Sequence, residues 1–105
     1  KNVSVDLTMK GYIVDLANRT RVDTYVYLGV SPRASIALMR ASQAYALLQG
    51  RDYVIPDDIQ YLLPFVFGHR VILRPEARYD GISSEEVLSR IVKRTPVPIK
   101  RKVHG

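Results

Sequence analysis

Cysteine is absent from this sequence of 105 residues, so the chain can form no disulfide and offers no thiolate to a metal ion. No apolar run approaches the roughly 20 residues that a membrane-spanning helix needs. The opening residues, KNVSVDLT, lack the basic-then-apolar order of a signal peptide. These absences fit a protein of the reducing cytoplasm that makes no contact with a membrane. The chain begins at Lys1 rather than methionine, and we interpret it as a piece of a larger protein.

Catalytic motifs are also missing. The phosphate-cradling pattern G-x-x-x-x-G-K-[ST] does not occur, and no hydrophobic strand ends in Asp-Glu. The nearest run, YIVD at residues 12–15, has the spacing of an amphipathic helix, and we assign Asp15 a structural role. His69 and His104 have no partner at ligand spacing, so we expect no metal site. Because no nucleophile can be paired with a base, we expect no self-contained enzyme within this chain.

What the sequence does contain is the composition of one globular domain, with 47% hydrophobic and 25% charged residues. The formal net charge is +6, which raises the question of nucleic acid. Part of this excess lies at the C-terminal end, in Lys93, Arg94, Lys100, Arg101 and Lys102. A small basic DNA-binding domain, histone-like or helix-turn-helix, therefore stays open as the alternative. No helix carries a row of side chains suited to base edges, however, so we do not expect a nucleic-acid partner.

The first half of the chain predicts two helices. Apolar residues recur at helical spacing over residues 5–20, and the β-branched and aromatic residues of 21–30 predict an extended connector with room for a short strand. A second helix should begin at Ser31, which can cap free N–H groups, with Pro32 at the first helical position. It should run to residue 49 and stop at Gly50. Because this helix is apolar on most sides, we expect it at the centre of a bundle.

A third helix should open with the acidic pair Asp57 and Asp58. Pro64 should split this helix into two short segments, the second ending near Arg70. Residues 71–82 carry proline and glycine and predict a loop.

The last helix is predicted by a capping box, in which Ser83 and Glu86 satisfy each other's backbone N–H groups. It should end before Thr95. The sequence therefore predicts an all-α fold, a bundle of four to five helices. We expect residues 1–94 to form this helical domain and residues 95–105 to form a basic, extended tail.

Arg33 is the candidate functional residue. It occupies the second position of a helix whose start is fixed by Ser31 and Pro32, and a cation there opposes the helix dipole, at a cost of about 0.3–1 kcal/mol. A guanidinium is also the side chain best suited to hold phosphate oxygens. The competing interpretation is a surface arginine in an ordinary ion pair. Arg40 lies seven residues further on the same side of the helix, where it could support an anion, pair with an acid such as Asp58, or face another subunit.

Four segments carry a family resemblance. Residues 29–35, GVSPRAS, match the pattern G-x-S-P-R-A-S. The other three lie at residues 12–16 with 20–21, before this segment, and at 50–54 with 56–59 and 69–70 with 73–77, after it. Together, over about residues 6–98, they resemble the C-terminal lid domain of MoxR-family AAA+ ATPases. Ile55 departs from the family, which often has Thr or Ser there, so we expect the third helix to lose a cap worth about 1 kcal/mol.

The resemblance implies a function. In similar proteins the arginine at the position of Arg33 is the sensor-2 residue, which reaches the γ-phosphate of ATP and couples hydrolysis to lid movement. Ser31, Pro32 and Arg40 would support it. ATP and Mg²⁺ would be bound mainly outside this fragment, by a preceding AAA+ core domain, and the parent chain would be the ATPase. Such proteins form rings, commonly hexamers, act as chaperone-like maturation factors, and often have von Willebrand factor A-domain partners.

Overall fold

The computed structural model describes residues 2–99, which form five helices and a two-stranded sheet around one core. In chain order the elements are α1 (Leu7–Val22), β1 (Val26–Leu28), α2 (Pro32–Leu48), α3 (Pro56–Phe67), β2 (Ile72–Leu73), α4 (Pro75–Tyr79) and α5 (Ser84–Arg94). The predicted helical bundle is thereby confirmed, and the sheet is added to it. Within the described residues, no helix has both the length and the hydropathy to cross a bilayer.

The core lies where four long helices meet. α1 packs against α2 and α5, and α3 packs against the same two helices. The largest fully buried side chains come from every one of these helices and from the connector after α1; they include Leu16, Val30, Leu38, Ile59, Leu63, Phe67 and Leu88. One continuous core therefore holds all the long helices.

The first helix starts two residues later than predicted, because the chain before it is extended. Ser4 pairs with Tyr53 as an isolated parallel bridge. The Ser4 N–H donates to the Asp52 carbonyl at 2.9 Å, and the Val54 N–H donates to the Ser4 carbonyl at 3.1 Å. These bonds keep residue 5 out of the helix, although its side chain packs against the core.

The prediction of a loop over residues 71–82 is wrong. β2 lies there and pairs antiparallel with β1, with Val26 opposite Leu73 and Leu28 opposite Ile72. The short helix α4 follows, and its Ala77 is completely buried. Pro75 does not interrupt regular structure, contrary to what the sequence predicts, because it occupies the first position of α4, where a missing N–H has no consequence. The strand predicted within residues 21–30 is confirmed as β1.

The second helix has the predicted start and end, but it does not lie at the centre of the bundle. Only one side of it is buried, as Ala34, Leu38, Ser42 and Ala46. On the other side Ile36 and Leu47 are about half exposed and Leu48 is 82% exposed. The apolar composition that predicted a surrounded helix therefore includes an outward face that residues 2–99 leave uncovered.

The sequence predicts that Pro64 splits the third helix, and this prediction is wrong. α3 runs through it without a break and ends at Gly68, whose N–H donates to the Pro64 carbonyl at 3.0 Å. Leu63 and Phe67, on either side of the proline, are completely buried. Their packing holds the last turn in place although Pro64 has no N–H to donate to the preceding turn.

The predicted helix caps have different outcomes. The capping box of α5 is confirmed: the Glu86 N–H donates to Ser83 Oγ at 3.1 Å, and the Ser83 N–H donates to Glu86 Oε1 at 2.9 Å. Ser31 precedes α2 as predicted, but its side chain makes no capping bond. At α3 the Ile55 side chain makes no capping bond. The Ile55 N–H nevertheless donates to Asp58 Oδ2 at 2.9 Å, which is the other half of a capping box.

The chain leaves α5 at Thr95, as predicted. The Thr95 hydroxyl donates to the Ile91 carbonyl at 2.6 Å and is buried. Residues 96–99 have no regular secondary structure, and residues 100–105, the rest of the predicted tail, lie outside the described part of the chain.

We expect Pro64→Ala to stabilise the fold. Pro64 is exposed, and alanine would restore an N–H to the interior of α3, so the free energy of unfolding should rise by about 1–3 kcal/mol. Pro56→Ala is the matched control, because Pro56 occupies the first position of the same helix and should give little change or a small loss. Urea unfolding of the three proteins measures this. No gain from Pro64→Ala, or an equal gain from both, would contradict the explanation.

Candidate functional site

The site is built on a junction between the end of α1 and the segment that leads into α2. The Thr20 hydroxyl donates to the Ala17 carbonyl at 2.7 Å and accepts the Val30 N–H at 3.0 Å. The Arg21 Nε donates to the Val30 carbonyl at 2.8 Å. Thr20 and Val30 are almost completely buried. Both backbone polar groups of Val30 are thus satisfied by side chains of α1, which fixes the chain just before α2.

Gly29 allows this close approach. A Cβ atom at residue 29 would lie 2.7 Å from the Cα of Arg21 and 2.8 Å from its backbone N. Those atoms belong to the helix backbone and cannot swing aside as a flexible side chain could. The junction therefore requires glycine at this position.

Arg33 follows the junction as the second residue of α2. Ser31 before it is extended, with φ −81° and ψ 165°, and Pro32 occupies the first helical position. The next residue, Ala34, is buried in the core, whereas Arg33 is exposed. Arg33 is exposed, and within residues 2–99 its guanidinium makes no hydrogen bond or ion pair. A helix whose start is fixed thus carries an uncommitted cation.

Arg40 is also exposed and lies on the same side of α2. Seven residues of helix place it about 10 Å along the axis from Arg33 and about 20° around it. One of the partners considered for it is excluded, because Asp58 is held by Arg51, with oxygen-to-nitrogen distances of 2.6 and 2.8 Å. Ile36, half exposed, lies between the two arginines. The first half of the outward face of α2 therefore carries an apolar residue, Ile36, between two cations, Arg33 and Arg40.

Three other arginines of the described residues are held in ion pairs with carboxylates. Arg51 donates both terminal nitrogens to Asp58, which is buried, and this hydrogen bonding raises the pKa of the Arg51 guanidinium above its usual value. Arg90 holds both oxygens of Asp23, at 2.7 and 2.9 Å. Asp15 binds Arg19 at 3.1 Å, in accord with the structural role assigned to it. Arg33 and Arg40, like Arg74, Arg78 and Arg94, have no acidic partner within residues 2–99.

A metal site is not formed by the described residues. No group of three or more His, Asp or Glu side chains is close enough to hold an ion there. His69 is exposed at the end of α3, and His104 lies outside the described part of the chain. Residues 2–99 therefore form no ligand set for Mg²⁺.

Sequence reasoning identified Arg33 but not the junction that positions it. In the sequence, Thr20, Arg21 and Gly29 stand out only as members of two of the four motifs. The signal was present in the sequence, since all three lie in segments that carry the family resemblance. Their roles could not be assigned because the bond partners are 9 and 10 residues apart.

Comparisons with known proteins agree with this geometry. The family described as AAA lid domain matches residues 18–91. The chain is 54% identical over 101 residues to the uncharacterized protein YeaC of Bacillus subtilis, covering 96% of this chain and 32% of YeaC. It is 42% identical over 77 residues to chaperone MoxR1 of Mycobacterium tuberculosis, covering 73% of this chain and 20% of MoxR1. A crystal structure of a "putative ATPase" from Cytophaga hutchinsonii superposes with a TM-score of 0.88 at 31% identity, over 93% of this chain and 32% of that one.

The chain therefore belongs to the AAA lid domain family. Its relatives named MoxR confirm the more particular resemblance, to the lid of a MoxR-type AAA+ protein. The chain spans about a third or less of the length of these relatives. None of these relatives supports the DNA-binding alternative.

We expect Gly29→Ala to destabilise the junction. The added methyl group would overlap the backbone of Arg21, which should lower the free energy of unfolding by about 1–3 kcal/mol. Gly11→Ala is the matched control: nothing lies within 4 Å of the added carbon, and alanine within α1 should raise stability by up to about 1 kcal/mol. Thermal and urea unfolding measure both. Equal effects of the two substitutions would show that the approach at Gly29 is not a constraint.

Proposed function

We propose that this chain is the nucleotide-sensing lid of a MoxR-type ATPase, and that Arg33 is its sensor-2 arginine. The single observation that carries the proposal is the exposed guanidinium of Arg33, which is held at the first turn of α2 and has no partner within residues 2–99. The Arg33 guanidinium can bind an anion at little cost in free energy, because no existing ion pair has to be broken first. The family resemblance names the anion as the γ-phosphate of ATP.

Physically, Arg33 acts by distinguishing two nucleotide states. A charge-assisted contact with the terminal phosphate exists with ATP and is lost after hydrolysis. Each state then favours a different angle between lid and core, because the contact has different free energy in the two arrangements. The same guanidinium can also stabilise the charge that develops on the transferring phosphoryl group.

ATP and Mg²⁺ are bound mainly outside this chain. The sequence has no phosphate loop, and the described residues hold no cluster of metal ligands. A preceding AAA+ core domain would supply both. The lid would add one phosphate contact, so the fragment alone is not an enzyme and the parent chain is the ATPase.

Three neighbouring residues support Arg33. Pro32 fixes the first turn of α2, since its φ angle is already helical. The Ser31 side chain makes no capping bond and is exposed, which leaves its hydroxyl available to a ligand. Arg40 supplies a second positive charge about 10 Å along the helix, where it would face the nucleotide or a neighbouring subunit.

The wider setting follows from the family resemblance. The parent protein would assemble as a hexameric ring, act as a chaperone-like maturation factor in the cytoplasm, and engage von Willebrand factor A-domain proteins. Residues 1–94 would form the lid and residues 95–105 a basic tail. The relative named chaperone MoxR1 supports the chaperone assignment.

We expect Arg33→Ala in the full-length protein to lower ATP turnover by about tenfold or more, because a charge-assisted phosphate contact is lost. It should also weaken the binding of a non-hydrolysable ATP analogue more than that of ADP. Arg33→Lys should recover only part of both, since an ammonium lacks the planar fork. Turnover assays and calorimetric titration measure these effects.

Arg94→Ala is the control, since Arg94 is an exposed arginine at the end of α5 whose side chain has no assigned role. It should leave turnover and both affinities unchanged. Wild-type turnover in Arg33→Ala, or an equal loss of affinity for the ATP analogue and ADP, would remove the sensor-2 assignment.

A further inference from the structure

A groove of about 800 Å³ lies beside α4, away from the residues assigned to nucleotide sensing. It is lined by residues from the end of β2, from α4 and from the turns on either side of α4. These residues are Leu73, Arg74, Pro75, Arg78, Tyr79 and Ile82. Leu73, Arg74 and Pro75 belong to the last of the four signature segments, for which nucleotide sensing gives no role. The question is what chemistry the groove can accept.

The groove carries two positive charges that nothing in its walls balances. Arg74 and Arg78 are four residues apart, so they lie on one side of α4, whereas Glu76 lies on the other. Neither arginine belongs to an ion pair among residues 2–99. Asp80, the next acid along the chain, accepts the Tyr25 hydroxyl at 2.7 Å and forms no ion pair with either arginine within residues 2–99.

Between these charges the surface is apolar and aromatic. Tyr79 is 92% exposed and Tyr27, on β1, is 68% exposed. The Arg74 guanidinium lies over the Tyr27 ring, 5.9 Å from its centre. Leu73 and Ile82 are partly buried and pack against the core, so they form a floor rather than a mobile edge.

The backbone around the groove is fixed before any ligand arrives. The Arg74 N–H donates to the Tyr25 carbonyl at 2.8 Å, and the Ile82 N–H donates to the Ala77 carbonyl at 2.8 Å. Ala77 is completely buried beneath α4. Binding would therefore cost little ordering of the backbone, which favours recognition of a flexible segment.

We propose that this groove docks an acidic segment of a partner protein, one in which carboxylates flank an aliphatic or aromatic side chain. The carboxylates bind Arg74 and Arg78, and the apolar side chain rests on Leu73 and Ile82 beside Tyr79. A nucleic acid fits less well, because two cations above an apolar floor do not form the extended basic track that a phosphate backbone needs. The proposal does not depend on the role of Arg33.

The test uses the full-length protein without nucleotide and a panel of short, end-blocked, fluorescent peptides in which leucine or phenylalanine alternates with aspartate or glutamate. Binding is measured by fluorescence anisotropy. The variant Arg74→Glu with Arg78→Glu should bind the best peptide at least about tenfold more weakly. The control, Lys10→Glu with Lys93→Glu, makes the same change in net charge on α1 and α5, and should retain wild-type affinity. Thermal unfolding confirms that both variants are folded.

Two further probes separate the contributions. Replacing the acids of the best peptide by Asn and Gln should abolish measurable binding, and replacing its leucine or phenylalanine by alanine should weaken it. The proposal is overturned if no peptide of the panel binds the wild-type protein at millimolar concentration, or if both double variants lose affinity equally. It is also overturned if replacing Arg74 and Arg78 weakens the binding of a single-stranded oligonucleotide but not that of any peptide. A third contrary result is that their replacement changes the oligomeric state in light scattering and leaves peptide binding intact.

Discussion

The hydrogen bonds from Thr20 and Arg21 to Val30 are the constraint on which the presentation of Arg33 depends. They connect the last turn of α1 to the residue that comes three positions before Arg33, and they satisfy both the N–H and the carbonyl of Val30 in a nearly dry environment. Loss of one such partner leaves a buried polar group unsatisfied, at a cost of about 1–3 kcal/mol. The start of α2 is thus held by α1, and the orientation of its first side chains does not depend on a side-chain cap, which Ser31 does not supply.

The distribution of positive charge distinguishes structural from available arginines. Arg51 and Arg90 hold buried or nearly buried carboxylates with two short bonds each, and their side chains are largely covered. These pairs fix α3 to the turn before it and α5 to the turn after α1. Arg33, Arg40, Arg74 and Arg78 are exposed and have no acidic partner within residues 2–99. The net charge of +6, which first suggested nucleic acid, is partly accounted for by cations that are presented at two separate surfaces.

Local sequence signals predicted those parts of the fold that depend on neighbouring residues. The capping box at Ser83, the proline at the start of α2 and the glycine after its end all act over three or four residues, and all lie where they were predicted. The failures depend on distant contacts. Pro64 remains within a helix because Phe67 is buried by other elements, and α4 forms because Ala77 has a place in the core.

The candidate site also has one part that local sequence predicts and another that depends on distant contacts. Arg33 is predicted as a site residue because its helical position, its chemistry and a family motif agree, whereas the role of Gly29 depends on a backbone that approaches it from another element. The apolar residues of α2 predicted burial on every side, because composition alone cannot tell a face that packs within this chain from a face that residues 2–99 leave exposed.

The length of α2 has a mechanical consequence. Its 17 residues extend over about 25 Å, so a rotation of about 10° around its first turn would displace its far end by about 4 Å. If the domain rotated as one body about the junction with α1, the displacement would grow with distance along the helix. Leu48, 82% exposed at the far end, would travel furthest.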